Sequence, residues 1–300
     1  MIDPAAREDA PGRRPWPARH EPGAASDRWQ AQGAHAAHGR AKAARGARAA
    51  DARTLYLMPA QTLHVSSTGE ALVASRADGE VHRLPATRLL RVVCNERVHW
   101  SGPALVLCQQ RGISVTWLGA HGRALGHLYP AQTPRVELAD ALEALTNLPC
   151  DWTQTYGNWL RRQRLHVLQR WLAAREAAGQ AVGSEEAQRA KRAWVYRDEL
   201  AEHLPPVLHG MISALVAALL AERGLALRYW SLDGHSIELA ADVSRLVWAE
   251  LNLCGGAIAE AMRETREAAA LFEQWSTRCA DFAFMHLASL RALAARELRA

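Results

Sequence analysis

Cysteine is scarce in this chain and carries no pattern. The five cysteines among 300 residues (Cys94, Cys108, Cys150, Cys254 and Cys279) form no CxxC pair and no metal-ligand spacing. That argues against a disulfide framework or a zinc ribbon and leaves buried free thiols in a reducing cytoplasm as the expectation. Long apolar runs are missing too. No stretch approaches about 18 residues without a charge, so no membrane-spanning helix is expected. Residues 1–10 lack an apolar segment behind a basic head, so no secretory signal is expected and the expected location is cytoplasmic. There is no internal repeat, no glycine-rich phosphate loop, no helix-turn-helix of usual spacing and no Ser or Cys nucleophile motif.

Residues 1–53 lack large aliphatic side chains, Ile2 excepted. Such a segment cannot bury enough apolar surface to offset its ordering entropy and is expected to be disordered. It is either a basic arm touching nucleic acid or an extension of little consequence. It holds ten of the 36 basic residues and six of the 31 acidic ones, leaving 26 and 25 for the rest of the chain. The positive balance therefore sits mostly in this tail, and any case for nucleic acid must rest on local clusters.

What is present begins at Thr54. Short runs rich in branched and aromatic residues (54–58, 63–65, 71–74, 81–85) alternate with turns at Ser66-Ser67-Thr68-Gly69 and Asp78-Gly79. These read as β-hairpins. Leu89 to Val93 and Val98 to Trp100 follow, and Ala104–Cys108 has helical spacing. The apolar run from Ile113 to Leu118 turns at Gly119–Gly122 into a last strand, Leu125–Leu128. After Tyr129 the rhythm becomes helical. The fold class expected is α+β, a small N-terminal β-sandwich followed by an all-α domain, with a tail over 1–53, a β domain over 54–130 and a helical domain over 131–300.

Within the helical part a short helix is expected around Val136–Leu145. A long one begins near Asp151, with Leu160, Val167, Leu168, Trp171 and Leu172 as its buried stripe. Arg161, Arg162, Arg164 and Arg170 crowd the same turns, as a solvated face or a phosphate-contacting one. Gly179 to Ser184 breaks the helix. Ser184 suits an N-cap, and Glu185 and Glu186 suit a first turn, where the helix dipole favours acids. That next helix, ended by Pro205-Pro206, carries Arg189, Lys191, Arg192 and Arg197 opposite Trp194, Val195 and Leu200. Val207–Ala221 is almost wholly small or aliphatic and reads as a core helix, closed by Arg223-Gly224. An extended segment, Ala226–Trp230, leads to a turn at Asp233-Gly234. Helices over Ile237–Leu251, Ala257–Leu271 and Trp275–Leu298 finish the chain.

The ordered set Thr54-Leu55-Tyr56, Leu84-Pro85 with Leu89–Val93, Val98-His99-Trp100-Ser101, Arg111-Gly112-Ile113-Ser114-Val115 and Gly122-Arg123 resembles the CRISPR-associated adaptation integrases. These are metal-dependent DNA endonucleases that capture new spacers. In the second domain, Gly183-Ser184-Glu185-Glu186, the helix ending Gly224-Leu225 and the segment 229–233 match the family less closely. The resemblance implies a divalent cation, Mg2+ or Mn2+, held by Glu185, His235 and Asp242. Carboxylates suit a hard cation that activates a nucleophile and stabilises a leaving oxygen. It also implies a homodimer through the β domain, association with the small second adaptation protein, and binding of double-stranded or branched DNA. Arg161, Arg162, Arg164, Arg189, Lys191 and Arg192 would neutralise phosphates.

Three departures accompany it. The family's His position falls on Asp233, two residues before His235. Arg245 stands where a second acid is expected. The link from Glu185 to the core helix is short. Each candidate also has an ordinary structural role. Glu185 suits any first turn, His235 a surface turn, and Asp242 an exposed helix acid paired with Arg245 or Arg228. Glu238 and Asp233 are substitute acids. Besides a metal-dependent integrase, the residues admit a DNA-binding or scaffolding homologue with a decayed site, or an unrelated two-domain protein.

Overall fold

A computed structural model describes residues 53–130, 137–146, 152–200, 204–225, 237–254 and 268–299. The expectations for residues 1–52, for the extended segment at 226–230 and for the turn at 233–234 lie outside them. So does most of the helix expected over 257–271.

Among the described residues, eight strands make two mixed four-stranded sheets. In one, β1 (Arg53–Leu57), β5 (Leu89–Asn95), β7 (Ser114–Leu118) and β8 (Ala124–Leu128) lie in that order. In the other the order is β4 (Val81–Pro85), β3 (Ala71–Arg76), β2 (Leu63–Thr68), β6 (Val98–Trp100). Hairpins join β2 to β3, β3 to β4 and β7 to β8. Gly69, Gly79 and Gly122 supply the positive φ that their turns need. The remaining pairings, β1 with β5, β5 with β7 and β2 with β6, are parallel. A parallel pair needs a crossover, and α1 (Gly102–Gln110) provides one on the way to β7, capped by Ser101, whose Oγ accepts from the Ala104 amide at 3.3 Å.

The core of this part joins Leu63, Val65, Leu72, Val92, Cys94, Ala104, Cys108 and Val115 from both sheets and α1. Strand β5 is buried on both faces. Val92 and Cys94 point into that core, while Val93 packs with Leu118 and Ala214 on the helical side. On the same side the buried Arg91 lies 3.6 Å from Glu273, and the Tyr56 hydroxyl donates to Glu273 at 2.6 Å. Burial, and then the Glu273 carboxylate, hold the Tyr56 phenol well above its ordinary value.

Among the described residues the helices after the sheets are α2 (Glu137–Thr146), α3 (Trp152–Ala177), α4 (Ser184–Ala190, continued by a π-helical turn over Lys191–Tyr196), α5 (Pro206–Glu222), α6 (Leu239–Cys254) and α7 (Ala268–Glu297). Helix α5 is buried along most of its length, as its composition requires, and packs against α6, α7 and the sheet. It closes at Arg223-Gly224 (Gly224 φ 64°), the Leu225 amide returning to the Leu220 carbonyl.

Two boundaries differ from the sequence reading. Gly183, not Ser184, is the N-cap of α4, and no side chain bonds there. The same helix ends at Arg197 rather than at Pro205, because Asp198 takes a left-handed backbone (φ 59°), a conformation that Asp tolerates better than most residues. On α3 the buried set is wider than the expected stripe. It includes Trp152, Tyr156, Trp159 and Gln163 as well as Val167 and Leu168, because α3 packs on α6, α7 and the π turn together.

Candidate metal centre and nucleic-acid face

The candidate ligands do not share one environment. Asp242 sits in the first turn of α6 with its carboxylate turned toward α3, where the buried Tyr156 hydroxyl donates to Oδ2 at 2.8 Å. The exposed acid paired with Arg245 or Arg228 was the alternative expectation; Arg228 lies outside the described residues. Burial, reinforced by Glu238 and Asp198, pushes the Asp242 carboxyl up to about 6, against the opposing pull of Tyr156 and Arg164. Burial and the adjacent Asp242 in turn hold the Tyr156 phenol far above its ordinary value.

Beside Asp242, Asp198 is the hub of an ion-paired cluster that sequence reasoning missed. Its Oδ2 meets Arg164 Nη2 at 2.9 Å, its Oδ1 meets Arg245 Nε at 3.5 Å, and its carbonyl accepts from Arg245 Nη2 at 3.1 Å. The Arg164 and Arg245 guanidinium groups lie 5.3 and 5.9 Å from the buried Trp194 ring. The Trp194 indole donates to the Arg164 carbonyl at 3.0 Å, tying the π turn to α3. The signal for Asp198 was faint, an acid placed directly after a basic helical run, and nothing local in the sequence names its partners.

Glu185 stands in the first turn of α4 with its side chain 88% exposed, 3.5 Å from Arg189. His235 and Asp233 lie outside the described residues. Among the described residues no group of three His, Cys, Asp or Glu side chains is gathered to hold a metal ion. Two guanidinium groups instead meet the acid next to Asp242, and fixed positive charge there opposes a divalent cation directly. The described side chains do not fit a divalent-metal centre.

The raised carboxyl makes the first test. Because the folded-state value lies above the ordinary 3.8, Asp242 contributes most stability below about pH 4. That contribution is lost as pH rises from about 4 to about 6. Thermal unfolding of the Asp242→Asn variant should therefore lack the decline in midpoint that the parent shows across that window. Parallel curves would mean that Asp242 titrates normally.

Of the candidate phosphate contacts, Arg161, Arg162, Arg189 and Arg192 are exposed and Lys191 is half-buried. Arg161 Nη2 donates to Asn158 Oδ1 at 2.7 Å. Arg164 departs from the rest. It is turned inward, 13% exposed, and its charge is already met by Asp198. Helix α3 packs against the π turn that carries Lys191 and Arg192. No helix among the described residues is long and apolar enough to cross a membrane.

Residues 55–154, a third of the chain, match the family model for CRISPR associated protein Cas1. No curated protein matches the sequence. Among solved structures, the chain is similar to a casposase bound to integration product, at 10% identity and a TM-score of 0.52, covering 81% of this chain and 89% of that one. It is also similar to a Cas1 protein from Thermotoga maritima (11% identity, TM-score 0.49, covering 82% and 95%) and to the Cas1 of a TtCas1–DNA complex (14%, 0.39, covering 81% and 97%). The motifs that carry the resemblance, from Thr54 to Arg123, thus lie almost wholly within the stretch that matches the Cas1 family model.

Proposed function

We propose that this chain serves CRISPR spacer acquisition as a DNA-binding Cas1-type subunit in which DNA capture, rather than strand transfer, is the retained activity. The observation that carries this reading is the ion pairing of Arg164 and Arg245 onto Asp198, beside an Asp242 already bonded by Tyr156. The protein would dimerise through its β domain, meet DNA ends on the helical domain, and associate with the small second adaptation protein. Its phosphate contacts would be Arg161, Arg162, Arg189, Lys191 and Arg192, with Arg164 in a supporting role behind them. A second reading is a divalent-metal-dependent endonuclease and integrase, with Mg2+ or Mn2+ on Glu185, His235 and Asp242. It is favoured by the family match and requires His235 to bring the two acids together.

A splayed duplex offered with Mg2+ or Mn2+ separates the two. Binding should be salt-sensitive, with log Kobs falling against log salt at a slope of about −4.5 for five phosphate contacts. Replacing Arg189, Lys191 and Arg192 with Gln should flatten that slope by about 3 units. No cleavage or joining is expected from the parent protein. Joining that disappears in Glu185→Ala and in Asp242→Ala would establish the second reading instead.

A further inference from the structure

Helices α3 and α7 leave a cleft of about 410 Å3 between them, with Thr155, Asn158, Arg162, Ser289, Arg296 and Glu297 on its walls. Its polar atoms are mostly donors. At the floor, Ser289 Oγ accepts from Gln163 Nε2 at 2.8 Å and from Trp159 Nε1 at 3.2 Å. A hydroxyl has two acceptor sites and one proton, so with both sites taken Ser289 can only donate further. Gln163 Oε1 lies 3.1 Å from the buried His286 Nδ1, and Nε2 is the atom on Ser289 when that ring nitrogen carries a proton.

Asn158 behaves the same way. Its Oδ1 accepts from Arg161, and its amide N–H groups remain as donors. At the rim stand the exposed guanidinium groups of Arg162 and Arg296. The one acid of the lining, Glu297, is already met by Arg296 at 2.9 Å, so the cleft keeps one uncompensated positive charge. Donors of hydroxyl, amide and guanidinium type around a positive cleft select a tetrahedral oxyanion.

We propose that this cleft is a phosphate-binding site in which Arg162, Arg296, Asn158 and Ser289 hold a single phosphate group, and that DNA is the source of that phosphate. The DNA part rests on the function proposed above; the phosphate chemistry does not. The phosphate is either a terminal monoester at a DNA end or a diester within the strand.

The test uses the full-length protein and the variants Arg162→Gln, Arg296→Gln and the double replacement. Both side chains are exposed, so the fold should survive. Anisotropy of a labelled splayed duplex should show each single variant binding roughly threefold to tenfold more weakly. The salt slope should fall by about 1. The double variant should be little worse than either single one, because both groups serve the same phosphate. A loss confined to 5′-phosphorylated duplexes identifies the monoester, and an equal loss on 5′-hydroxyl duplexes identifies the diester.

A second arm needs no DNA. Inorganic phosphate should show 31P line broadening with the parent protein and not with the double variant. Intact DNA affinity and slope in Arg296→Gln, with equal broadening in the double variant, would overturn the site and leave the DNA-binding reading standing. A parent protein that broadens phosphate but binds no DNA would sink the functional reading and keep the site.

Discussion

Adding one methyl group at Gly210 is expected to lower the stability of this protein by about 3 kcal/mol, and its unfolding midpoint by on the order of 10 °C. The sign is the informative part, because glycine to alanine inside a helix ordinarily stabilises by up to about 1 kcal/mol. Here a Cβ on α5 would fall within the van der Waals shell of the Gly122 carbonyl oxygen, and 2.9 Å from both methyls of Leu118. The obstacle is backbone, so no rotamer change relieves it. Gly122 faces the reciprocal problem. Its φ is +72°, and a Cβ there would meet the Pro206 carbonyl. A side chain at either position would push α5 away from the β7–β8 hairpin. Gly157→Ala on α3 is the control. Nothing lies within 4 Å of a Cβ there, and a small gain is expected. Denaturant unfolding of the two variants decides the matter. Equal midpoints for Gly210→Ala and the parent would mean that the close approach does not exist.

Arg170→Met should be nearly as costly, at about 3 kcal/mol. Glu250 is 1% exposed on α6, its carboxylate held by the Arg170 guanidinium, with His286 Nε2 at 3.6 Å beside it. Burial acts to raise the Glu250 carboxyl, but His286 and the Arg170 guanidinium beside it outweigh that and leave the group below its ordinary value. In the parent protein this group therefore contributes stability above the ordinary carboxylate range, lost as pH falls below it. Methionine keeps the stem of Arg170 and removes the charge. Burial then dominates, the folded protein prefers a protonated Glu250, and the penalty shrinks as pH falls. The stability gap between parent and variant should be widest near neutral pH and narrow toward pH 4. A gap independent of pH would indicate lost packing instead of a stranded anion.

The parts of the fold legible in the sequence were those with a local cause. Gly69, Gly79 and Gly122 mark turns because only glycine takes their backbone conformation cheaply, and 207–221 reads as core because it has almost no polar side chain to expose. The parallel pairings were not legible. Strand β1 matches β5 through partners more than thirty residues away, and alternation says which residues face inward without naming the neighbour. The candidate site was legible in even smaller part. Asp242 was found as a candidate ligand with an exposed acid as the alternative, but its actual partner, Tyr156, lies 86 residues earlier on another helix. Arg164 looked like its exposed neighbours Arg161 and Arg162, yet Asp198 draws it inward across 34 residues of chain. Arg245 was noticed for breaking a pattern; what it binds is decided by the left-handed turn at Asp198, which no motif announces.

The parallel union of β1 with β5 also bears on how the protein is made. On the ribosome, the second sheet can begin to zip as soon as its hairpins emerge, because β2, β3 and β4 are consecutive neighbours. Strand β1 leaves the exit tunnel first and has no partner until Leu89–Asn95 follows it. At the usual pace of about 5–20 residues per second it waits for seconds with an unpaired edge. The strand that opens the domain is thus the one for which nascent-chain protection matters most.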